Sequence, residues 1–302
     1  MKVLLTGATG FVGVAVQEQL QSMPDVSGVR LLVRSPGSAA PDSKTEIFRA
    51  DLTDPSSFEG LTTGVDVVVH AASYVGADAS VATAVNDLGT AALVGECRRT
   101  ATRIVYVSTT AVYGPGPHRL AREGELSAHP MSVASASRNE GESHVLEAGG
   151  KVIRAALTYG PGDRWFLPTA LAGVQAVGGW VGGGGARLST IHVSTLAAQG
   201  AALAIGFDTI EESVFHAADP APATFREILT LVADQLGITL SDRDTPIDHP
   251  LLAQVPAQLL QRAYVDHSYS GELLSSRTGV RAKEGVRLTQ ADLDWYAATL
   301  QA

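Results

Sequence analysis

Short apolar runs alternate with longer amphipathic stretches through the first half of the chain. The runs are KVLLT (2–6), VRLLV (29–33), TEIF (45–48), VDVVVH (65–70) and RIVYVS (103–108). Helical texture lies between several of them, at Phe11 to Ser22 and Val81 to Thr100. A further helical stretch, Ala134 to Ala148, precedes the strand-like KVIRAAL (151–157). Apolar strands separated by helices predict βαβ units and an α/β, doubly wound parallel sheet buried on both faces.

After Tyr159 the texture changes. YGPGDRW (159–165) is a turn-rich exit from the sheet, and VGGWVGGGGARLSTIHV (177–193) is glycine-dense before it turns strand-like. ESVFHAA (212–218) predicts another strand, and TFREILTLVADQLG a helix capped by Thr224 and stopped by Gly237. The expected division is a sheet domain over 1–158 with strands near 189–217. A smaller substrate lobe takes 159–188 and 218–302.

Composition narrows the classes. A chain of 302 residues with 45% hydrophobic residues can bury a large core. The formal charge of -9, with both signs interspersed, argues against nucleic acid or an anionic membrane as the main partner. The lone Cys97 permits no internal disulfide, which suits a reducing, cytoplasmic setting. The apolar run in MKVLLTGATG is too short for a signal peptide, and no segment has the length of a membrane span.

The candidate chemistry starts at VLLTGATGFVG (3–13), where Gly7, Gly10 and Gly13 lie between a strand and a helix. A tight turn and close approach of a diphosphate both require residues without Cβ. The helix start adds unpaired N–H groups and a positive dipole end. Thr9, Phe11 and Val12 complete this candidate dinucleotide cradle. At the end of the second strand, Arg34 and Ser35 stand where an acid would hydrogen-bond a ribose 2′-hydroxyl. A guanidinium there binds a 2′-phosphate instead, which favours NADP(H) over NAD(H).

The glycine spacing resembles the short-chain dehydrogenase/reductase superfamily, and within it the extended, epimerase/dehydratase-like branch. Other segments carry the same resemblance: ADLTD (50–54), VVVHAAS (67–73), VNDLGT (85–90), YVSTTAVYG (106–114), VIRAALTYGPGD (152–163) and IHV (191–193). It implies a Rossmann-type sheet. It also implies contacts to the adenine from Asp51 and Leu52, and a cofactor wall at Ala71, Ala72 and Ser73.

In that superfamily a Ser or Thr positions the substrate oxygen, a Tyr exchanges the proton and a Lys four residues on lowers the Tyr pKa. The resemblance puts the first role on Thr109, with Ser108 beside it. It puts Ala134 at the Tyr position and Arg138 at the Lys position, and no tyrosine lies between Tyr113 and Tyr159. Arg138 can hold the nicotinamide ribose but cannot readily relay protons. Tyr74 is a substitute donor to test, whereas His118, His192, Tyr113 and Cys97 have ordinary structural readings. Trp165, Phe166 and Trp180 suit a flat, apolar ligand.

Reactions that begin by deprotonating an unactivated alcohol are disfavoured without the tyrosine. The expectation is therefore an NADPH-dependent ketoreductase acting on an activated aromatic or polycyclic ketone of polyketide type. Two alternatives stay open: a non-catalytic NADP(H)-binding regulator, and a nucleotide-sugar epimerase or dehydratase with a relocated base. A small-molecule ketone is the expected partner, and the resemblance leaves room for a homodimer.

Overall fold

The structure is a computed structural model that describes residues 1–35, 43–255 and 257–300. Seven parallel strands form the central sheet: β1 (Lys2–Thr6), β2 (Gly28–Val33), β3 (Thr45–Arg49), β4 (Val67–His70), β5 (Arg103–Thr109), β6 (Lys151–Ala155) and β7 (Val214–Ala217). Their order across the sheet is β7-β6-β5-β4-β1-β2-β3. The chain leaves β1 for β2 on one side and returns as β4 on the other, so a crevice opens at the carboxyl end of β1.

Alternate residues of each strand enter opposite cores. Val3, Leu5, Leu31, Val33, Val67, Val69, Val105, Val107 and Ile153 pack against helices α1 (Phe11–Ser22) and α5 (Val193–Ile205). Leu4, Leu32, Val68, Ile104, Tyr106 and Val152 face the helices α2 (Gly89–Thr100) and α3 (Val133–Glu147). Each fully buried aliphatic side chain contributes roughly 1.5–3 kcal/mol, which is why the strands read as continuous apolar runs.

The helical stretch before α2 is not uniform. Its first turn, Ala79–Ala82, continues into a π turn over Thr83–Leu88. Gly89 explains the close packing here, because a Cβ on it would stand 2.9 Å from the Leu52 carbonyl oxygen.

The lobe has its own core. It is built from α4 (Leu167–Val177), α6 (Phe225–Leu236) and α7 (Gln290–Leu300), with Trp180 and Leu188 between them. Thr224 and Glu227 form a reciprocal capping box at the start of α6, and Gly237 ends it in the left-handed region. Thr190–His192 lies outside the central sheet and pairs with Leu157–Tyr159 in a separate two-stranded sheet. His118–Ala121, from the expected sheet domain, instead pairs with His267–Tyr269 in a small four-stranded sheet. Among the described residues no helix is long and apolar enough to cross a membrane.

Candidate functional site

The glycine turn closes where β1 meets α1. Gly7 has φ +71°, and a Cβ on it would stand 2.6 Å from the Ala72 nitrogen. A Cβ on Gly13 would overlap the Gly7 carbonyl oxygen, and one on Gly10 would approach the same oxygen to 3.2 Å. Gly10 caps α1 without any side-chain hydrogen bond, so among the described residues no capping side chain takes up the first-turn N–H groups around Phe11 and Val12. Gly162 packs on Phe11 from the lobe side, where a Cβ would come within 2.9 Å of the ring. The cradle thus has a floor of backbone, a positive helix end and a lobe wall, the features a dinucleotide diphosphate needs.

Arg34 and Ser35 are exposed at the end of β2. The Asp51 carboxyl is held below its usual range, chiefly by the Thr53 backbone N–H, with the Arg34 charge adding to it. Leu52 is buried in the core beneath α2, so its side chain is packed there. Ala71, Ala72 and Ser73 are half-buried beyond β4, and the Ser73 hydroxyl is buried with no hydrogen-bond partner. Arg138 Nε on α3 and the Tyr106 hydroxyl on β5 are likewise buried with no partner in hydrogen-bonding geometry among the described residues, and the Arg138 charge acts on the Tyr106 phenol. Orphaned polar atoms together with a cradle that any Cβ would fill make these residues a fit for a nicotinamide dinucleotide.

Three residues of α3 spaced four apart share one face: Ala134, Arg138 and Glu142. Arg138 donates from Nη2 to the Val107 carbonyl at 2.9 Å, which ties the guanidinium to β5. Glu142 is buried and pairs with Arg154 at 2.6 and 2.9 Å, and its other oxygen accepts the Ser108 hydroxyl. Ser108 is therefore not free to meet a substrate. Its hydroxyl is engaged by a buried carboxylate in this structure, and its placement lends the expected catalytic role no support. Glu142 went unnoticed in the sequence, although its spacing from Arg138 was a usable signal.

Thr109 is half-buried at the end of β5, and its Oγ1 accepts the Ala111 N–H at 3.1 Å. That leaves the hydroxyl proton to donate. The Tyr74 ring folds over Gly76, and its hydroxyl accepts the Asp78 N–H at 3.4 Å. The structure thus engages the Tyr74 hydroxyl within its own loop.

The three expected ligand-facing aromatics differ. Trp180 (1% exposed) and Phe166 (3% exposed) are packed in the lobe core, where neither can touch a ligand in this arrangement. Only Trp165 is presented to the outside. The cause is Asp163, whose buried carboxylate accepts the N–H groups of Trp165, Phe166 and Leu167 and the Tyr296 hydroxyl. That turn sends Phe166 inward and Trp165 outward.

The remaining titratable groups are structural in place. His118 is buried and bonded to Tyr269 at 2.8 Å, and His192 caps α5 while reaching Asp292 at 3.1 Å. Tyr113 is buried and bonded to His216 at 2.5 Å. Burial pushes the Cys97 thiol up to about 12, so it stays protonated.

Comparison with known proteins agrees with this fold. A family model described as "NAD dependent epimerase/dehydratase family" matches residues 3–198. A ketoreductase of Stigmatella aurantiaca, named for 4-hydroxy-2-methyl-3-oxo-4-farnesyl-3,4-dihydroquinoline-1-oxide, is 29% identical over 88% of this chain and 82% of its own. Among solved structures, the dTDP-glucose 4,6-dehydratase DesIV of Streptomyces venezuelae superposes with a TM-score of 0.75 at 22% identity, covering 100% of this chain and 96% of its own. WbmG of Bordetella bronchiseptica superposes at 0.78 with 18% identity, covering 99% and 95%.

Proposed function

Because the chain belongs to the NAD-dependent epimerase/dehydratase family, we propose that it is an NADPH-dependent ketoreductase that reduces an activated ring ketone without the usual tyrosine acid. The observation that carries this reading is the face of α3: alanine at 134, an arginine tied to β5 at 138, and a glutamate locked in a buried ion pair at 142. No group on that face can take a proton from a plain alcohol. The family and the similarity to a ketoreductase support an oxidoreductase, and the DesIV and WbmG structures were both solved with NAD bound.

A nicotinamide dinucleotide held at the glycine turn would supply the hydride that ketone reduction requires. Gly7, Gly10 and Gly13 admit its diphosphate, and the open end of α1 holds the negative charge. Arg34 and Ser35 select the 2′-phosphate. The Thr109 hydroxyl donates a hydrogen bond to the ketone oxygen and steadies the negative charge that develops there. The proton that completes the alcohol comes from a hydroxyl of the substrate beside the ketone, replenished from water. The name of the Stigmatella relative describes such a pair, a 3-oxo group next to a 4-hydroxy group. Trp165 lies against the flat face of the ligand. The substrate class is an aromatic or polycyclic ketone such as those tailored in polyketide pathways.

The test is turnover of NADPH with a panel of aromatic α-hydroxyketones and their O-methyl ethers. Ketone-dependent loss of NADPH absorbance, with the ethers much slower, supports the reading. Tight NADPH binding with no turnover across the panel favours a cofactor-binding regulator, a reading that the missing tyrosine also suits.

A further inference from the structure

The end of β4 holds a fully buried histidine, His70, between two elements of the candidate site. Its register partners are Thr6 on β1 and Tyr106 on β5, and its ring stacks on Tyr106 at 4.9 Å. Nδ1 lies 2.6 Å from the Thr6 hydroxyl, and Nε2 lies 3.0 Å from the Thr90 hydroxyl.

The order of donors along this chain is determined. The Thr90 hydroxyl donates to the Asn86 carbonyl at 2.7 Å, so toward His70 it can only accept. Nε2 therefore carries the ring proton, and Nδ1 accepts from Thr6. The Thr6 oxygen in turn accepts the Ala72 N–H at 3.2 Å. One neutral imidazole satisfies every member. Burial, reinforced by the charge of Arg138, holds its pKa down at about 3, so that single tautomer persists at neutral pH.

The far end reaches the loop after β4. Asn86 lies in the π turn, and its side chain accepts the Tyr74 N–H at 2.7 Å and donates to the Tyr74 carbonyl at 2.8 Å. It also donates to the Ser137 hydroxyl on α3 at 3.0 Å. The near end reaches the glycine turn, since Thr6 precedes Gly7, and Gly7 abuts Ala72. Unbroken contacts thus run from the glycine turn through one imidazole to the backbone of Tyr74.

We propose that His70 is a positioning residue that couples the dinucleotide cradle to the loop 71–78, so that the two keep one relative placement when the cofactor binds. The proposal rests on the reading of the glycine turn as a nicotinamide dinucleotide site. His70 touches neither cofactor nor substrate. It acts through Thr6 on one side and through Thr90 and Asn86 on the other.

The experiment compares His70→Leu, His70→Gln and Thr90→Val with the wild type. NADPH dissociation constants are read from cofactor fluorescence, and amide hydrogen exchange is followed over 71–78. Leucine removes both bonds. Glutamine can accept from Thr6 and donate to Thr90, and valine at 90 removes one hydroxyl at nearly constant shape. His70→Leu and Thr90→Val should each weaken NADPH about tenfold and speed exchange in the loop, with His70→Gln restoring most of both. The KM for the ketone should stay near the wild-type value while that for NADPH rises. Folded Thr90→Val protein with wild-type NADPH affinity and unchanged loop exchange would overturn the proposal, even if His70→Leu fails to fold. Wild-type protein that binds neither NADPH nor NADH overturns the cofactor reading instead, and loop exchange in Thr90→Val then decides the coupling by itself.

Discussion

At Thr109, removing the hydroxyl should separate binding from chemistry. Thr109→Ala is expected to lower kcat by roughly 10²-fold, the cost of one donor to a developing oxyanion, with NADPH binding unchanged. Tyr74→Phe is expected to keep most of the activity, because the ring folds back over Gly76 within its own loop. Full activity in both variants would leave the protein without a donor. Arg34→Ala should weaken NADPH by roughly 10- to 100-fold and NADH little, since a charge-assisted bond to a 2′-phosphate contributes about 1.5–3 kcal/mol. Equal weakening of both cofactors removes the 2′-phosphate assignment. Glycine positions of this kind are readable from sequence, because the lack of a Cβ is itself the requirement. Ser108 was not readable: which way a hydroxyl at a strand end turns depends on a carboxylate from a helix far along the chain.

The contact of α3 with β5 and β6 depends on the buried pair of Glu142 and Arg154. Glu142→Leu leaves the Arg154 charge unpaired in the core and is expected to destabilise the fold by roughly 3–5 kcal/mol. Ser108→Ala leaves the pair intact and should cost less, about 1.5–3 kcal/mol for one hydrogen bond to a buried carboxylate. Urea unfolding of the two variants checks the ranking, and a Glu142→Leu variant as stable as Ser108→Ala would contradict it. The strands and helices of the first half were apparent from sequence, since apolar runs broken by helical periods admit few other folds. The π turn was not, because VNDLGT has the composition of an ordinary helix and the turn answers to the packing of Gly89 and Gly141. The lobe aromatics escaped for a related reason. Neighbouring Trp165 and Phe166 are sent opposite ways by Asp163, and nothing in the run DRWF says which goes in.

Over the whole molecule, buried titratable groups set an opposed response to pH. Burial holds the imidazoles of His70 and His216 at about 3 and about 4, below the ordinary 6.5. The unfolded chain therefore binds those protons first, and stability falls as the pH drops below 6.5 toward the folded values. Asp219 runs the other way. Burial raises its carboxyl from 3.8 to about 7, so the folded chain keeps that proton, and the contribution is lost as pH rises through about 7. Asp219→Asn removes the opposing slope. Acid destabilisation between about pH 4 and 6.5 should then steepen by up to about 1.4 kcal/mol per pH unit, and stability above pH 7 should rise. Denaturant midpoints at a series of pH values check both signs.

The pairing of His118–Ala121 with His267–Tyr269 has a consequence for how this chain can be divided. The first strand belongs to the link between β5 and α3, and its partner lies after most of the lobe. A fragment ending at Ala218 would retain all seven strands of the central sheet and yet expose a bare strand edge, with Gly271, which packs on the Ala218 backbone, stripped away. The lobe is stitched into the sheet domain instead of hung from its end. Cutting it off, exchanging it for another protein's lobe or expressing it alone as a movable cassette would break the pairing of His118–Ala121 with His267–Tyr269.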